Sequence, residues 1–223
     1  MAATAPSLTS ESEAAEFVIE RIFGPDYLAY DMEQGTVRGY NEVRVIYLSE
    51  DIIRGIYEAL LHETGEAWSL ILKTSGLTWG RKTTKLLDAQ SRELAPDGVA
   101  RLSVKKYFEL LEKYFQMHGW GLATFDLDRA RSHGLIRVVF KDSIFPRALS
   151  DLSEPVDYMI GGMLTGMFQV MSNAQLDFAE ISSPLLGAPC TEFVISAPSR
   201  IDKARALADE RMPADEIIEQ LCT

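Results

Sequence analysis

The chain has 223 residues, a length that allows one domain with a sizeable hydrophobic core. Its formal net charge is −11, which argues against a duplex-binding surface, because phosphate binding needs a local excess of Lys and Arg. The two cysteines, Cys190 and Cys222, do not make a disulfide framework, which favours the reducing cytoplasm. The N-terminus has no basic and apolar leader pattern, so we expect no signal peptide. No apolar run reaches the ~20 residues of a membrane helix.

The first part of the chain predicts a tail, a helix and a strand. Residues 1–11 are small and polar and predict a disordered tail. Residues 12–23 have an apolar helical face, and the Gly24-Pro25 pair ends that helix. Residues 26–42 show no clear pattern. Residues 43–48 are rich in β-branched and apolar side chains and predict a strand.

Two further helices are predicted after this strand. The first begins at Ser49 and ends at Gly65, a typical C-terminal glycine. The second begins near residue 66, and helical residues extend to about 94. Gly76 and Gly80 lie inside that stretch, and we expect them to interrupt the helix.

A strongly amphipathic helix follows a predicted turn at residues 96–98. Ser103 is its predicted N-cap, because a serine hydroxyl accepts a hydrogen bond from the first turn of a helix. The spacing places five large side chains on one face, Tyr107, Phe108, Leu111, Tyr114 and Phe115.

Two hairpins are predicted in the second half of the chain. Residues 120–127 and 135–140 are β-prone segments separated by a turn-like stretch. Residues 175–181 and 191–196 form the second pair. The order of helices, hairpin, helix and hairpin favours an α+β fold, in which helices cover one face of a small antiparallel sheet of about four strands.

The helix between the hairpins is unusual in composition. Residues 146–151 are predicted as loop, Ser153 caps the helix, and the helix extends to about Asn173. Gly162 and Gly166 stand four apart and predict close approach of another backbone, which offsets the low helix propensity of glycine. Four methionines also recur every four residues, and they are either ordinary core or the wall of a ligand pocket: Met159, Met163, Met167 and Met171.

Catalytic signatures are missing from the sequence. His62, His118 and His133 lie in no recognisable nucleophile or metalloprotease pattern, and there is no phosphate loop or dinucleotide fingerprint. A non-catalytic role is therefore favoured.

The stretch EISSPLLGAPCTEFVI, which begins at Glu180, resembles the end of the 4-vinyl reductase domain family. An acidic residue closes one strand, a loop with glycine follows, and Cys190 opens the next strand. The upstream stretch VRVIYLSEDIIRGIYEALLHETGEAWSLILKTSGLTWGRK is similar to the strand and helices that open the family's domain. The resemblance covers about residues 43–197.

This resemblance implies a fold similar to that of trafficking-complex subunits. It also implies binding of small apolar or tetrapyrrole-like molecules, in effector-sensing domains or in stand-alone proteins of phototrophs such as cyanobacteria, some of them linked to photosystem assembly. The implied domain organisation is a tail at 1–11, an α+β domain at 12–197 and a charged helical extension at 198–223, beyond the core.

Some members of the family hold zinc. The matching positions here are Asp157, Glu180, Ser183 and Cys190. Two of the four ligands have changed type relative to the family pattern, and a serine is a poor ligand for zinc. We therefore do not expect zinc as a cofactor.

A ligand pocket is predicted between the aromatic helix and the sheet, with apolar walls and few polar anchors. His118 and His133 are the candidates for hydrogen bonding or axial ligation of a tetrapyrrole metal, although a histidine next to a turn is more often satisfied within the fold. The predicted ligand-binding residues are Tyr107, Phe108, Leu111, Phe115, His118, Trp120, Tyr158, Met163 and Met167.

Three functional hypotheses remain at this point. The first is a cytoplasmic protein that binds a hydrophobic small molecule, a tetrapyrrole above others, as carrier, sensor or photosystem assembly factor. The second is a homodimeric or scaffold module without ligand, which uses Gly162 and Gly166 at an interface with a second copy or with assembly-complex proteins. The third is a tetrapyrrole vinyl reductase, which ranks last because the sequence shows no site for a hydride donor.

Overall fold

The computed structural model describes residues 11–24, 27–39, 42–94 and 103–223. Most of the predicted tail and the predicted turn at 96–98 lie outside these residues. The chain forms two compact units. The first unit contains residues 1–47 and 85–118, and the second contains residues 48–84 and 119–223.

The first unit combines helices with a small sheet. Helix α1 spans Glu11–Ile22 and helix α4 spans Val104–Met117. Strands β1, β2 and β3 are antiparallel neighbours in that order and span Ala29–Asp31, Thr36–Arg38 and Arg44–Val45. The hairpin β1–β2 was not predicted. The strand predicted at 43–48 is shorter in the structure, because only two residues of β3 pair with β2.

Helix α4 has the aromatic face that its sequence predicts. Ser103 Oγ accepts a hydrogen bond from the backbone N–H of Lys106, which confirms the N-cap. Phe23, which follows α1, packs edge-on against Tyr114 with ring centroids 6.4 Å apart. The buried residues of α4 are Tyr107, Phe108, Leu110, Leu111, Tyr114 and Phe115.

The second unit is built on a four-stranded antiparallel sheet with the order β4-β5-β7-β6. Strand β4 spans Leu122–Asp126, β5 Ile136–Lys141, β6 Asp177–Ser182 and β7 Thr191–Ser196. Both predicted hairpins are therefore present, and the α+β prediction is confirmed. Strand β6 is an edge of this sheet.

Seven helices have residues in the second unit, counted among the described residues. Helix α2 spans Glu50–Thr64 and α3 spans Trp68–Leu94, of which residues 68–84 belong here. Ser49 caps α2 and Gly65 ends it with positive φ, as predicted. The others are α5 (Ala130–His133), α6 (Ile144–Ala148), α7 (Tyr158–Ser172), α8 (Pro198–Asp209) and α9 (Ala214–Cys222).

Two predicted helix boundaries were wrong. Residues 146–151 were expected to be loop, yet α6 includes Pro146, because proline is tolerated in the first turn of a helix. Helix α7 was expected to start after Ser153, but it begins at Tyr158, with Asp157 at the N-cap position. The Asp157 side chain does not cap the helix, because its carboxylate accepts hydrogen bonds from Ser143 and Thr191 instead.

Helices cover both faces of the four-stranded sheet, whereas the sequence predicted helices on one face only. Helix α7 lies on the face of Phe178, whose ring fills the space next to Gly161. Helices α8 and α9 lie on the opposite face and were expected beyond the core. They instead bury a cluster with the sheet, which contains Leu135, Ala179, Ile181, Val194, Ile201, Ala204, Ile217, Ile218 and Leu221.

Helices α3 and α7 pack through glycines on both sides of their contact. A Cβ on Gly162 or Gly166 would overlap the carbonyl oxygen of Lys73 or Leu77. A Cβ on Gly76 or Gly80 would overlap the carbonyl oxygens of Met159 and Met163 in the same way. The predicted close approach is confirmed, and the approaching backbone is α3.

The same contact corrects the predicted interruption of α3. This helix is continuous through Gly76 and Gly80. The two glycines allow the backbone of α7 to come close and do not introduce a turn. The glycine face of α7 is covered by the chain itself, so no second copy is needed to explain it. Among the described helices, none combines the length and the apolar character needed to cross a lipid bilayer.

We expect Gly162→Ala to lower the free energy of unfolding by about 1–3 kcal/mol, because the new methyl group must displace the backbone of α3. The matched control is Gly55→Ala on α2, where a Cβ meets nothing within 4 Å. There the higher helix propensity of alanine should raise stability by ~0.5–1 kcal/mol. Chemical denaturation checks both variants. Equal unfolding midpoints would contradict the close-contact interpretation.

Candidate functional site

An open cleft of about 360 Å³ lies beside edge strand β6 in the second unit. The first turns of α3 and α7 form one wall, β6 forms the floor, and the last turns of α8 form the other wall. The lining residues are Ser69, Leu70, Lys73, Pro155, Tyr158, Phe178, Ala179, Glu180, Arg205, Ala208 and Asp209.

The aromatic part of the wall is held in place by packing. Trp68 stands edge-on between two rings, at 4.8 Å from Tyr57 and 5.2 Å from Tyr158 between centroids. Burial raises the pKa of Tyr158, and the carboxylates around it add to the rise. Within the described residues, the Tyr158 hydroxyl makes no hydrogen bond. Tyr158 therefore offers the cleft an apolar ring and a donor.

A salt-bridge triad forms one end of the cleft. Asp177 accepts from Lys73 Nζ at 2.7 Å and from Arg205 Nη2 at 2.7 Å. Arg205 Nη2 also donates to the carbonyl oxygen of Phe178 at 2.6 Å. These contacts connect α3 and α8 to the start of β6, and they keep the pKa of Asp177 below its ordinary value although burial opposes the shift.

A pair of acids, the buried Asp157 and the half-buried Glu180, lies at the base of the cleft. Both Asp157 oxygens accept short hydrogen bonds, from Ser143 Oγ and from Thr191 Oγ1, each at 2.6 Å. The Asp157 backbone N–H donates to Glu180 Oε2 at 3.1 Å. Glu180 lies where the pairing of β6 with β7 shifts register, a distortion that re-aims side chains.

Burial determines the protonation of these two acids. It raises the pKa of Asp157 to about 6, against the opposing hydrogen bonds from the two hydroxyls. Burial, and then the neighbouring Asp157 carboxylate, raise the pKa of Glu180 well above its ordinary value. Two like charges close together repel each other, so each carboxylate disfavours the ionisation of the other.

Glu180 also has unused hydrogen-bonding capacity. Its Oε1 is buried and lacks a partner of good geometry among the described residues, and so does the hydroxyl of the neighbouring Ser183. Glu180 belongs to the lining of this cleft and to that of a smaller one of about 170 Å³, which also contacts Ser183. The Ser183 hydroxyl lies close enough to the Glu180 carboxyl to oppose its raised pKa, and a poorly paired buried group of this kind needs an explanation beyond packing.

The residues that match the family's zinc positions do not fit a zinc ion. Asp157 uses both oxygens within the protein, and Glu180 Oε2 accepts a hydrogen bond from the Asp157 backbone N–H. Cys190 is buried, and its thiol pKa is raised, chiefly by burial, which opposes the thiolate that zinc requires. In the described part of the chain, no three His, Cys, Asp or Glu side chains are grouped to hold a metal ion.

The predicted ligand residues fall into different places. Tyr107, Phe108, Leu111, Phe115 and His118 belong to the first unit, and all but His118 are buried on α4. The other four belong to the second unit: Trp120, Tyr158, Met163 and Met167. Only Tyr158 of all nine lines the cleft described here.

Both predicted histidine anchors have hydrogen bonds within the protein. His118 Nε2 pairs with the Tyr27 hydroxyl at 2.9 Å, and Nδ1 pairs with the carbonyl oxygen of Tyr114 at 2.8 Å. Burial lowers the pKa of His118, so the ring stays neutral. His133 Nδ1 pairs with Ser132 Oγ at 2.7 Å. His118 is therefore a satisfied histidine, and neither of its nitrogens is available for a metal.

The remaining predicted residues of the second unit pack in its interior or against other aromatic rings. Met163 and Met167 have 0% exposure and do not line this cleft. Trp120 packs between Trp79 and Phe145, with centroids 4.9 Å and 6.2 Å away. Their role in ligand binding stays a prediction.

Sequence reasoning missed the cationic part of the cleft. Lys73, Asp177 and Arg205 lie far apart in the chain and belong to three different elements, so no local spacing connects them. Glu180 was selected only through its family position. The signal that the sequence offered for this part of the site was an acidic residue, Glu180, close to a serine, Ser183.

Comparison with known proteins supports the fold assignment. No family model matches the chain, and no curated protein matches it. Among solved structures, the phenol-responsive sensory domain of the transcription activator PoxR, solved with phenol, matches with a TM-score of 0.65 at 15% identity. The match covers 92% of this chain and 99% of that domain. This chain shares the fold of that sensory domain.

Two more solved structures match more loosely. A trafficking protein particle complex subunit 3 from Naegleria fowleri, covalently bound to palmitic acid, has a TM-score of 0.47 at 18% identity, over 66% of this chain and 93% of the other. A vinyl-4-reductase family protein from Methanocaldococcus jannaschii has a TM-score of 0.45 at 12% identity, over 87% of this chain and 98% of the other.

We expect Glu180→Gln to stabilise the protein at alkaline pH. The folded state keeps a proton that the unfolded chain releases from about pH 4.5 upward, so wild-type stability falls as pH rises through the raised pKa of Glu180. Glutamine carries no charge and keeps the acceptor for the Asp157 N–H. The gain should be present at pH 8 and should vanish near pH 4, where the glutamate is protonated in the folded and the unfolded chain alike.

Urea denaturation between pH 4 and pH 8 checks this expectation. Glu154→Gln is the control, because it alters an exposed glutamate nearby and should leave the pH profile unchanged. Parallel profiles for wild type and Glu180→Gln would mean that the fold does not hold Glu180 protonated.

Proposed function

We propose that this chain binds a small, mostly apolar molecule in the cleft beside β6, and that this molecule is a tetrapyrrole such as a chlorophyll precursor or a related pigment. The observation that carries the proposal is the combination of apolar side chains with an acid at the base of the cleft, Glu180, whose Oε1 is buried without a hydrogen bond of good geometry among the described residues. Polar groups that converge next to apolar side chains in a cleft are typical of ligand sites.

The comparisons are consistent with this proposal. The sensory domain that shares the fold was solved with phenol, a flat apolar molecule with one polar group. The resemblance to the 4-vinyl reductase family favours a larger flat molecule of the tetrapyrrole class. The cleft is open, so it would hold one edge of a macrocycle while the remainder extends outward.

The biological role that follows is carrier, sensor or photosystem assembly factor in a phototroph's cytoplasm. Catalysis is not part of the proposal, because the sequence shows no dinucleotide fingerprint for a hydride donor. The reductase hypothesis remains third.

We expect the wild-type protein to shift the absorption spectrum of chlorophyllide, protochlorophyllide, haem or a bilin with saturation near one equivalent. Leu70→Glu should weaken that binding about tenfold or more, because it replaces an exposed apolar part of the wall by a charge. Titration followed by absorbance measures both. Leu122→Glu, at an exposed leucine outside the cleft, is the control and should bind as wild type does.

The result that would overturn the proposal is specific. No spectral change with any of the four pigments at concentrations well above ~10 μM, a limit of about −7 kcal/mol, would exclude a tetrapyrrole carrier. Equal weakening by both leucine variants would show that the pigment binds elsewhere or without a defined site.

A second candidate function is a homodimeric interaction module. The observation in its favour is that Ile52 and Ile56, four apart on α2, are 46% and 48% exposed, while Ile53 and Tyr57 form the buried face. An apolar helix face can pack on the same face of a second copy about a two-fold axis. Sedimentation of wild type and Ile56→Glu tests it: a dimer that the variant dissociates supports this function, and a wild-type monomer excludes it.

A further inference from the structure

Beyond the fact of binding, the cleft shows a chemical preference for one part of its ligand. We infer that the cleft binds the carboxylate-bearing edge of a flat apolar molecule, with the carboxylate held by Lys73 and Arg205. This inference rests on the proposed function and adds the group by which the ligand is recognised. For a tetrapyrrole, that group is a free propionate.

The first support is the inventory of unused donors. Lys73 Nζ and Arg205 both line the cleft and both contact Asp177, which does not line it. Arg205 has five N–H groups, and its recorded acceptors are Asp177, Phe178 and Asp202. Its Nε and the Tyr158 hydroxyl donate to no acceptor within the described residues. A ligand that offers acceptor oxygens therefore completes the site.

The second support is the local charge. The whole chain has a net charge of −11, yet the lining of the cleft contains two cations, Lys73 and Arg205, against two carboxyl groups, Asp209 and Glu180. The lining therefore carries no formal negative excess. Asp177, which lies outside the lining, binds both cations.

The third support is the direction of the helices. Helices α3 and α7 both begin at the cleft, through Ser69 and Tyr158, and the N-terminal end of a helix favours negative charge. Helix α8 ends there, at Asp209, and disfavours an anion on its own side. The carboxylate of the ligand therefore belongs on the side of α3 and α7, next to Lys73 and within reach of the Arg205 guanidinium, which extends from α8 to β6.

The remaining lining suits an apolar ring. Leu70, Pro155, Phe178 and Ala208 supply apolar surface next to the cations. Lys73 Nζ also lies 5.5 Å from the centroid of the Phe178 ring, so the cation is anchored at the edge of the apolar wall. A charged head next to an apolar wall matches a flat molecule that carries an acid at its rim.

The test uses the full chain and two probes that differ only in charge, protoporphyrin IX and its dimethyl ester, at one fixed concentration of nonionic detergent. We expect wild type to bind the free acid about tenfold more tightly than the ester, as charge-assisted hydrogen bonds predict. Lys73→Met and Arg205→Gln should each remove most of this preference. Lys82→Met, on the same helix outside the cleft, should keep it, and so should the conservative variant Arg205→Lys.

Each outcome is decisive. Equal binding of acid and ester by wild type overturns the inference and leaves the proposed function standing. A preference that persists in Lys73→Met and Arg205→Gln, both checked for native circular dichroism, also overturns it, because the anion then binds elsewhere. Binding of neither probe counts against the proposed function and the inference together.

Discussion

The contact between α3 and α7 is the constraint on which the second unit depends. Four glycines let the two helices run alongside each other with backbone against backbone, and no other residue type has room at these positions. Because the helices run parallel and in close register, both begin at the same place. That arrangement brings Lys73 and Tyr158 to one wall of the cleft.

Strand β6 provides the second half of the arrangement. It is an edge strand, so its outer side has no neighbour in the sheet. Helices cover both of its faces, and the groove between them is left at the edge. Asp177 then binds a lysine of α3 and an arginine of α8, which fixes the width of the groove. The cleft therefore exists because the helices on the two faces of the sheet leave a groove along its edge strand.

The acid pair shows how elements far apart in the chain determine the environment of a side chain. The Asp157 carboxylate is satisfied by the hydroxyls of Ser143 and Thr191, and its backbone N–H donates to Glu180. Burial, and then the Asp157 carboxylate, raise the pKa of Glu180. The base of the cleft therefore contains an acid whose charged form is disfavoured.

The sequence by itself determined what depends on neighbouring residues. The cap at Ser49, the end at Gly65, the aromatic face of α4 and both hairpins follow from local patterns, and the glycine spacing of α7 predicted close approach. Tertiary structure decided what depends on distant partners. It made α3 continuous, moved the start of α7 to Tyr158, and placed Lys73, Asp177 and Arg205 together, because packing and salt bridges between elements far apart in the chain have no local signature.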